Sequence, residues 1–141
     1  MDKINCYLLF IALIGLFSCK SNKSLTGNDQ NDKIRIGNGG GFVGKEQWTE
    51  LGKNGEYTMW TGGKGKIKKN DATQLFLNIS NLSLFSVDHM QPGNLYQFVE
   101  FRIGDQIKRI SWDANKPCPI PNVNLFYKNM NSILQKSLKT N

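Results

Sequence analysis

Between Val123 and Leu138 the apolar residues Val123, Phe126, Tyr127, Met130, Ile133, Leu134 and Leu138 recur at intervals of three and four. That spacing lines one side of an α-helix, and such a stripe must be buried against a second layer. Asn122 stands where it would cap the first turn. Upstream, Leu95 to Ile103 and Gln106 to Trp112 are rich in aromatic and β-branched residues and are joined by Gly104-Asp105, a two-residue hairpin connection. A hairpin followed by an amphipathic helix points to layers of sheet and helix.

The preceding segment repeats that order. Lys33-Ile34-Arg35-Ile36 alternates and reads as a strand. It runs into Gly37-Asn38-Gly39-Gly40-Gly41-Phe42-Val43-Gly44, where the glycines call for positive φ or close backbone approach and suggest a bulge or wide turn. Gln47 to Leu51 and Glu56 to Thr61 are two further strands around the hairpin signal Asn54-Gly55. Trp48 and Glu50 share one face of theirs; Tyr57 and Met59 share one face of the next. Gly62 to Asn70 reads as a basic, glycine-rich loop. Asn70 or Asp71 is placed to cap a helix with apolar residues at 72, 75, 76, 79 and 82, although its Asn and Ser content lowers helix propensity and leaves the end open within 72–87. Gln91-Pro92-Gly93-Asn94 is a turn, and Asp113 to Pro121 is irregular. The order β-β-β-α-β-β-α predicts an α+β fold: an antiparallel sheet of about five strands with two helices packed on one face.

The N-terminus is of another kind. Asp2 and Lys3 precede an apolar run from Tyr7 to Phe17, short of the roughly 20 residues that span a bilayer. The run ends in Ser18-Cys19. This is the layout of a secretory signal, residues 1–18. With cysteine after the cleavage point it resembles a bacterial lipoprotein signal, which implies lipidation of Cys19; Phe17 departs from the small or β-branched residue usual at its place. Residues 19–32 are polar and rich in Asn, Ser and Lys, the composition of a tether. Residues 33–141 then form a single α+β domain.

Ile36-Gly37-Asn38-Gly39-Gly40-Gly41-Phe42-Val43-Gly44, the Asn54-Gly55 hairpin, Pro92-Gly93-Asn94-Leu95-Tyr96 and the late Trp112 with its proline-rich sequel resemble a family of small lipoproteins of Bacteroidetes. In that family a GGGF(T/V)G segment opens the domain and a PGN-x-Y turn leads into the second hairpin. The resemblance spans about 34–134, with Val43 at the usual Thr position, and implies a compartment and a fold. It carries over no catalytic or binding residue.

The net charge is +7, and it is kept when residues 1–18 go, since Asp2 and Lys3 leave together. In an exported lipoprotein this balance suits an anionic membrane surface, an acidic glycan or an acidic protein rather than nucleic acid, or serves solubility alone. Cys6 leaves with the signal and Cys19 takes the lipid. Cys118, flanked by Pro117 and Pro119, is then unpaired, and is expected to be packed with an unactivated thiol.

Candidate chemistry is sparse. His89 is the single histidine, and no Gly-x-Ser-x-Gly elbow accompanies it. No closely spaced ligand set predicts a metal, and no motif predicts a cofactor. The triple glycine leads toward a strand rather than a helix and lacks a Walker lysine, against a phosphate loop. Glu100 and Asp113 are carboxylates that sequence alone cannot bring together. Lys64, Lys66, Lys68 and Lys69 form the densest basic cluster, which reads either as a solvated loop or as a contact with an anionic surface. Asn78-Ile79-Ser80 and Asn81-Leu82-Ser83 match glycosylation sequons by chance. The expectation is a non-enzymatic binding domain, a class that includes inhibitor and immunity-type proteins. It would be lipid-anchored in the envelope, on the periplasmic side of the outer membrane in preference to the cell surface, and would meet an envelope protein. The alternative is a small periplasmic hydrolase using His89.

Overall fold

The computed structural model describes residues 31–42 and 44–140. The expected signal segment, Cys6, Cys19 and nearly all of the expected tether lie outside them. The elements are β1 (Lys33–Gly40), β2 (Gln47–Gly52), β3 (Glu56–Met59), β4 (Lys64–Lys66), α1 (Lys69–Asn81), a 3₁₀ turn (Leu84–Ser86), β5 (Met90–Gln91), β6 (Leu95–Ile103), β7 (Gln106–Asp113) and α2 (Pro121–Thr140). The fold is α+β. One sheet has the order β4-β3-β2-β1-β6-β7-β5. Every pairing is antiparallel except β5 with β7, which is parallel.

The sheet therefore has seven strands where about five are expected, and it is mixed rather than antiparallel. The additions are β4, within the segment read as a basic loop, and β5, just before the Pro92-Gly93 turn. Lys64-Gly65-Lys66 has no apolar alternation, and two residues are too few to show a period. Both strands exist because a neighbouring strand offers a ladder: Tyr57 pairs with Gly65, and Gln91 with Trp112.

The glycine-rich segment continues β1 instead of bulging. Gly37 pairs with Trp48 on one side and Phe98 on the other, and a Cβ there would sit 2.2 Å from the Gln47 carbonyl oxygen. The strand turns only at Gly40, whose φ is 88°, and the Gly41 amide donates to the Asn94 carbonyl at 2.7 Å.

Alternation sorts the strands into two sets of side chains. Ile34 and Ile36 stand beside Phe101 and Val99 of β6, and Ile110 stands beside Val99. With Leu51, Tyr57 and Trp112 they join Ala72, Leu75, Phe76 and Ile79 of α1 and Val123, Phe126, Met130 and Leu134 of α2 in one buried cluster. Phe126 meets Phe101 edge-on with ring centroids 5.3 Å apart, and Tyr127 meets Trp112 in the same way at 5.2 Å. Of the stripe that predicts α2, Val123, Phe126, Met130 and Leu134 are buried, Tyr127 and Ile133 are half-buried against the cluster, and Leu138 is exposed.

Neither helix uses its expected cap. α1 begins at Lys69, with Lys68 in the cap position and no side-chain bond there; Asn70 and Asp71 fall inside the first turn. The Ile67 amide bonds the Gly55 carbonyl at 2.9 Å, so the last pairing of β4 carries the chain directly into α1. Its end is at Asn81, and Ser83 adopts left-handed φ of 52° before the 3₁₀ turn. α2 begins at Pro121, whose fixed φ suits a first helical position. Asn122 sits inside it and donates to the Leu82 carbonyl at 3.3 Å, tying the two helices.

Candidate functional site

The other set of strand side chains builds a charged and aromatic surface. Arg35 of β1 lies between Glu50 of β2 and Glu100 of β6, and Glu100 lies opposite Arg109 of β7. Alternation brings these residues to one side because each pair is in register. Arg35 donates to Glu50 through Nη2 at 2.6 Å and Nε at 3.1 Å. Arg102 binds Glu100 at 2.9 Å and reaches Glu50 at 3.9 Å. Arg109 bonds Glu100 at 3.3 Å and also bonds Glu46, which accepts a 2.8 Å hydrogen bond from the Tyr96 hydroxyl. Two rings lie beneath the cations. The Arg35 guanidinium is 4.5 Å from the Trp48 ring centroid, and that of Arg109 is 3.8 Å from Phe98.

Burial and partners set the proton affinities here. Burial alone would raise the Glu46 pKa, but hydrogen bonds from Arg109 and Tyr96 and the positive charges of Arg109 and Arg35 outweigh it and hold the carboxyl below its ordinary value. The hydrogen bond to Glu46 pushes Tyr96 up, helped by burial and the adjacent negative charge. Among the described residues no buried side-chain polar atom lacks a partner.

The basic cluster keeps its identity and gains members. Lys64 and Lys66 lie on β4, Lys68 precedes α1 and Lys69 opens it; all four are exposed. Lys66 reaches Glu56 at 3.9 Å, a weakly held exposed pair. Ser137 of α2 donates to the Lys66 carbonyl at 2.9 Å. This bond brings the last turns of α2, with Lys136 and Lys139, beside β4. A cleft of about 690 Å³ lies between them, and Lys66, Lys68 and Lys136 share its lining with Asp71, Asn129 and Ser137.

His89 is half-buried and lines a separate cleft of about 350 Å³ with Gln91, Trp112, Asp113 and Lys116. Asp88 pairs with Lys108 at 3.3 Å. Asp113 accepts the Asn115 amide at 2.9 Å and the Asn115 side chain at 3.1 Å. Glu100 and Asp113 do not meet: Glu100 faces Arg109, and Asp113 lies four residues farther along β7, about 13 Å at strand spacing. Cys118 is buried, and that burial raises its thiol pKa, partly offset by the Ile120 amide. Of the sequons, Asn78 accepts from Gln74 at 2.9 Å on α1. Among the described residues no group of three His, Cys, Asp or Glu side chains is placed to hold a metal ion, and no helix is long and apolar enough to cross a membrane.

Sequence reading passes over the Arg35, Glu46, Glu50, Arg102 and Arg109 network. Its signal is opposite charges at alternate strand positions, which becomes specific only once register is known. In comparisons with known proteins, no protein-family model matches the chain and no curated protein is similar to it in sequence.

Proposed function

We propose that this protein is a lipid-anchored envelope protein whose folded part is a non-enzymatic binding domain for another envelope protein, in the class that includes inhibitor and immunity-type proteins. The observation that carries the reading is the surface built by Arg35, Arg109 and Trp48, with buried Phe98 beneath Arg109. Guanidinium groups stacked on rings and clamped by carboxylates form a pre-ordered surface of the residue types enriched where proteins meet. In this reading both helices cover the opposite face of the sheet, as their joint cluster with Ile34, Ile36, Val99 and Phe101 supports. The lipoprotein-like run ending in Ser18-Cys19 supports a signal over 1–18 and an anchor at Cys19, and the polar composition that follows supports a tether from Cys19, although Asp32, its last expected residue, is buried and accepts the Gly104 amide. The resemblance to the Bacteroidetes lipoproteins supports the single domain over 33–141 and the envelope compartment, with the periplasmic side of the outer membrane preferred.

Crosslinking in intact cells tests the binding reading. A partner captured by the native chain and lost on Arg35→Ala together with Trp48→Ala is the expected result; no captured partner counts against it. Cys19→Ala tests the anchor, and continued lipid labelling of that variant removes it. The second reading, a small hydrolase using His89, is favoured by one observation: His89, Asp113 and Lys116 line a common cleft. An unchanged cellular phenotype for a folded His89→Ala variant eliminates it.

A further inference from the structure

The lysine cluster of the β4–α1 connection and the C-terminal turns of α2 form one surface. α2 carries Lys128, Lys136 and Lys139 and no acidic residue. The Ser137 bond to the Lys66 carbonyl and the 3.4 Å contact of Ser137 with the Tyr57 hydroxyl hold its end against β3 and β4. At this corner the cations are Lys64, Lys66, Lys68, Lys69, Lys136 and Lys139. The carboxylates on the elements packed there are Glu56, paired with Lys66, and Asp71, in the first turn of α1. A large part of the +7 charge therefore sits in one place, between elements far apart in sequence. Two local functions explain some of it: lysines on an edge strand discourage strand addition, and Lys139 complements the α2 dipole. Neither accounts for Lys68 and Lys69, which stand at the positive end of α1.

The place where the chain enters the fold supplies the second observation. Lys33, the first residue of β1, lies opposite Gly52 of β2, whose neighbour across the next gap is Glu56, and Glu56 lies opposite Lys66. The entry point and the lysine corner thus share the last cross-strand row of the sheet, three strand spacings or about 14 Å apart. The glycine turn with fully exposed Phe42 is at the far end of β1.

We infer that this lysine corner rests on the anionic headgroups of the membrane into which the chain is anchored. The inference rests on the anchor reading. Asp32 is buried and accepts the Gly104 amide at 2.9 Å, so in the anchor reading about a dozen residues join the lipid to the fold. A random coil of that length reaches about 20 Å, which lets the entry row come down onto the bilayer. The field of anionic lipid decays over about 8 Å at physiological salt, so the lysines feel it only when the corner rests directly on the headgroups, and the short leash at the entry row favours that end of the sheet over the far end of β1. The domain then lies with the β4–α1–α2 corner down, and the glycine turn points away from the membrane.

The test is sedimentation of the chain from residue 19 with Cys19→Ala, which carries no lipid to hold it, with phosphatidylcholine vesicles with and without phosphatidylglycerol. Two variants of equal charge change are compared: Lys68→Gln with Lys69→Gln at the corner, and Lys45→Gln with Lys116→Gln elsewhere. All four lysines are exposed, so folding is spared. The corner variant is expected to lose about tenfold or more in partitioning to the anionic vesicles, from roughly 1 kcal/mol per lysine, while the control variant changes little. Equal losses from both variants, no loss from the corner variant, or undiminished binding to vesicles lacking phosphatidylglycerol each overturn the inference. Lipid labelling of Cys19 in cells separates the two readings. A labelled chain without lysine dependence removes the surface and leaves the anchor; an unlabelled chain that keeps the dependence removes the anchor and leaves the surface.

Discussion

Arg109 lies 3.8 Å above the ring of Phe98, a side chain with no exposed surface, and serves as the polar cover of a ring that the main core cluster does not contain. From that position it bridges the carboxylates of Glu46 and Glu100. Removing it leaves Glu100, whose side chain is 9% exposed, to Arg102 alone. Arg109→Met keeps the packing on Phe98 and is expected to cost about 2 kcal/mol, because it leaves a mostly buried charge short of a partner. Arg109→Lys should recover only part of this, since an ammonium lacks the planar fork that joins two carboxylates. Arg102→Met, at a more exposed site, should cost under about 1 kcal/mol. Urea unfolding of the three variants checks the order.

Glu46 and Tyr96 give that surface a defined pH response. The folded pKa of Glu46 lies below its ordinary 4.5, so its stabilisation is present above that pH and is lost as pH falls below 4.5 through the folded value. Tyr96 has the opposite sign. Its pKa is raised above 10.0, so the neutral phenol stabilises the fold below that pH, and the contribution disappears as pH climbs through the raised value. The stability gap between native protein and Glu46→Gln, about 1 kcal/mol at neutral pH for a charge-assisted bond at a partly exposed site, should close in acid. The gap to Tyr96→Phe should persist in acid until Glu46 itself protonates, and close above pH 10.0. Unfolding free energies measured across pH decide both.

Two glycines of one segment should respond differently to alanine. At Gly37 a Cβ meets the Gln47 carbonyl at 2.2 Å and the Trp48 Cα at 2.9 Å, all backbone, so β1 and β2 must separate. Gly37→Ala is expected to cost about 2–3 kcal/mol, the range of overpacked sites. Gly44 has open space around it but a φ of 62°, so Gly44→Ala should cost only about 1 kcal/mol of left-handed strain. Thermal melts of the two single variants separate steric from conformational cost.

Cys118 should be slow to react. It is buried between two prolines, and desolvation keeps its thiol protonated. An aromatic disulfide reagent at neutral pH is expected to modify it at least tenfold more slowly in the native protein than in denaturant. Comparable rates would show the thiol to be open and reactive.

Phe126→Ala removes a ring that is 1% exposed and packed edge-on against Phe101, and should cost about 3–5 kcal/mol. Its neighbour Leu125 is 61% exposed, and Leu125→Ala should change stability by less than about 0.5 kcal/mol. Equal effects would show that α2 presents a different stripe.

The chain's own residues determine much of this fold, because their information is local and periodic. The α2 stripe, the β6–β7 hairpin through Gly104-Asp105, the β2–β3 turn at Asn54-Gly55 and the packed Cys118 are all legible where hydrophobic period and turn chemistry agree. The edge strands β4 and β5 were not, since their residues take strand form only from a neighbour's unpaired ladder. Nor were the helix starts, because the Gly55–Ile67 bond and the Asn122–Leu82 bond, joining residues distant in the chain, replaced the side-chain caps. The same holds for the surfaces on which function is proposed. Lys64 to Lys69 stood together in the sequence, but Lys136 and Lys139 joined them only through the docking of Ser137 on Lys66. Arg35, Glu50, Glu100 and Arg109 are single charges along four strands, and tertiary structure alone made them a network, because charge pairing depends on register, and register is set by the buried residues of the opposite face.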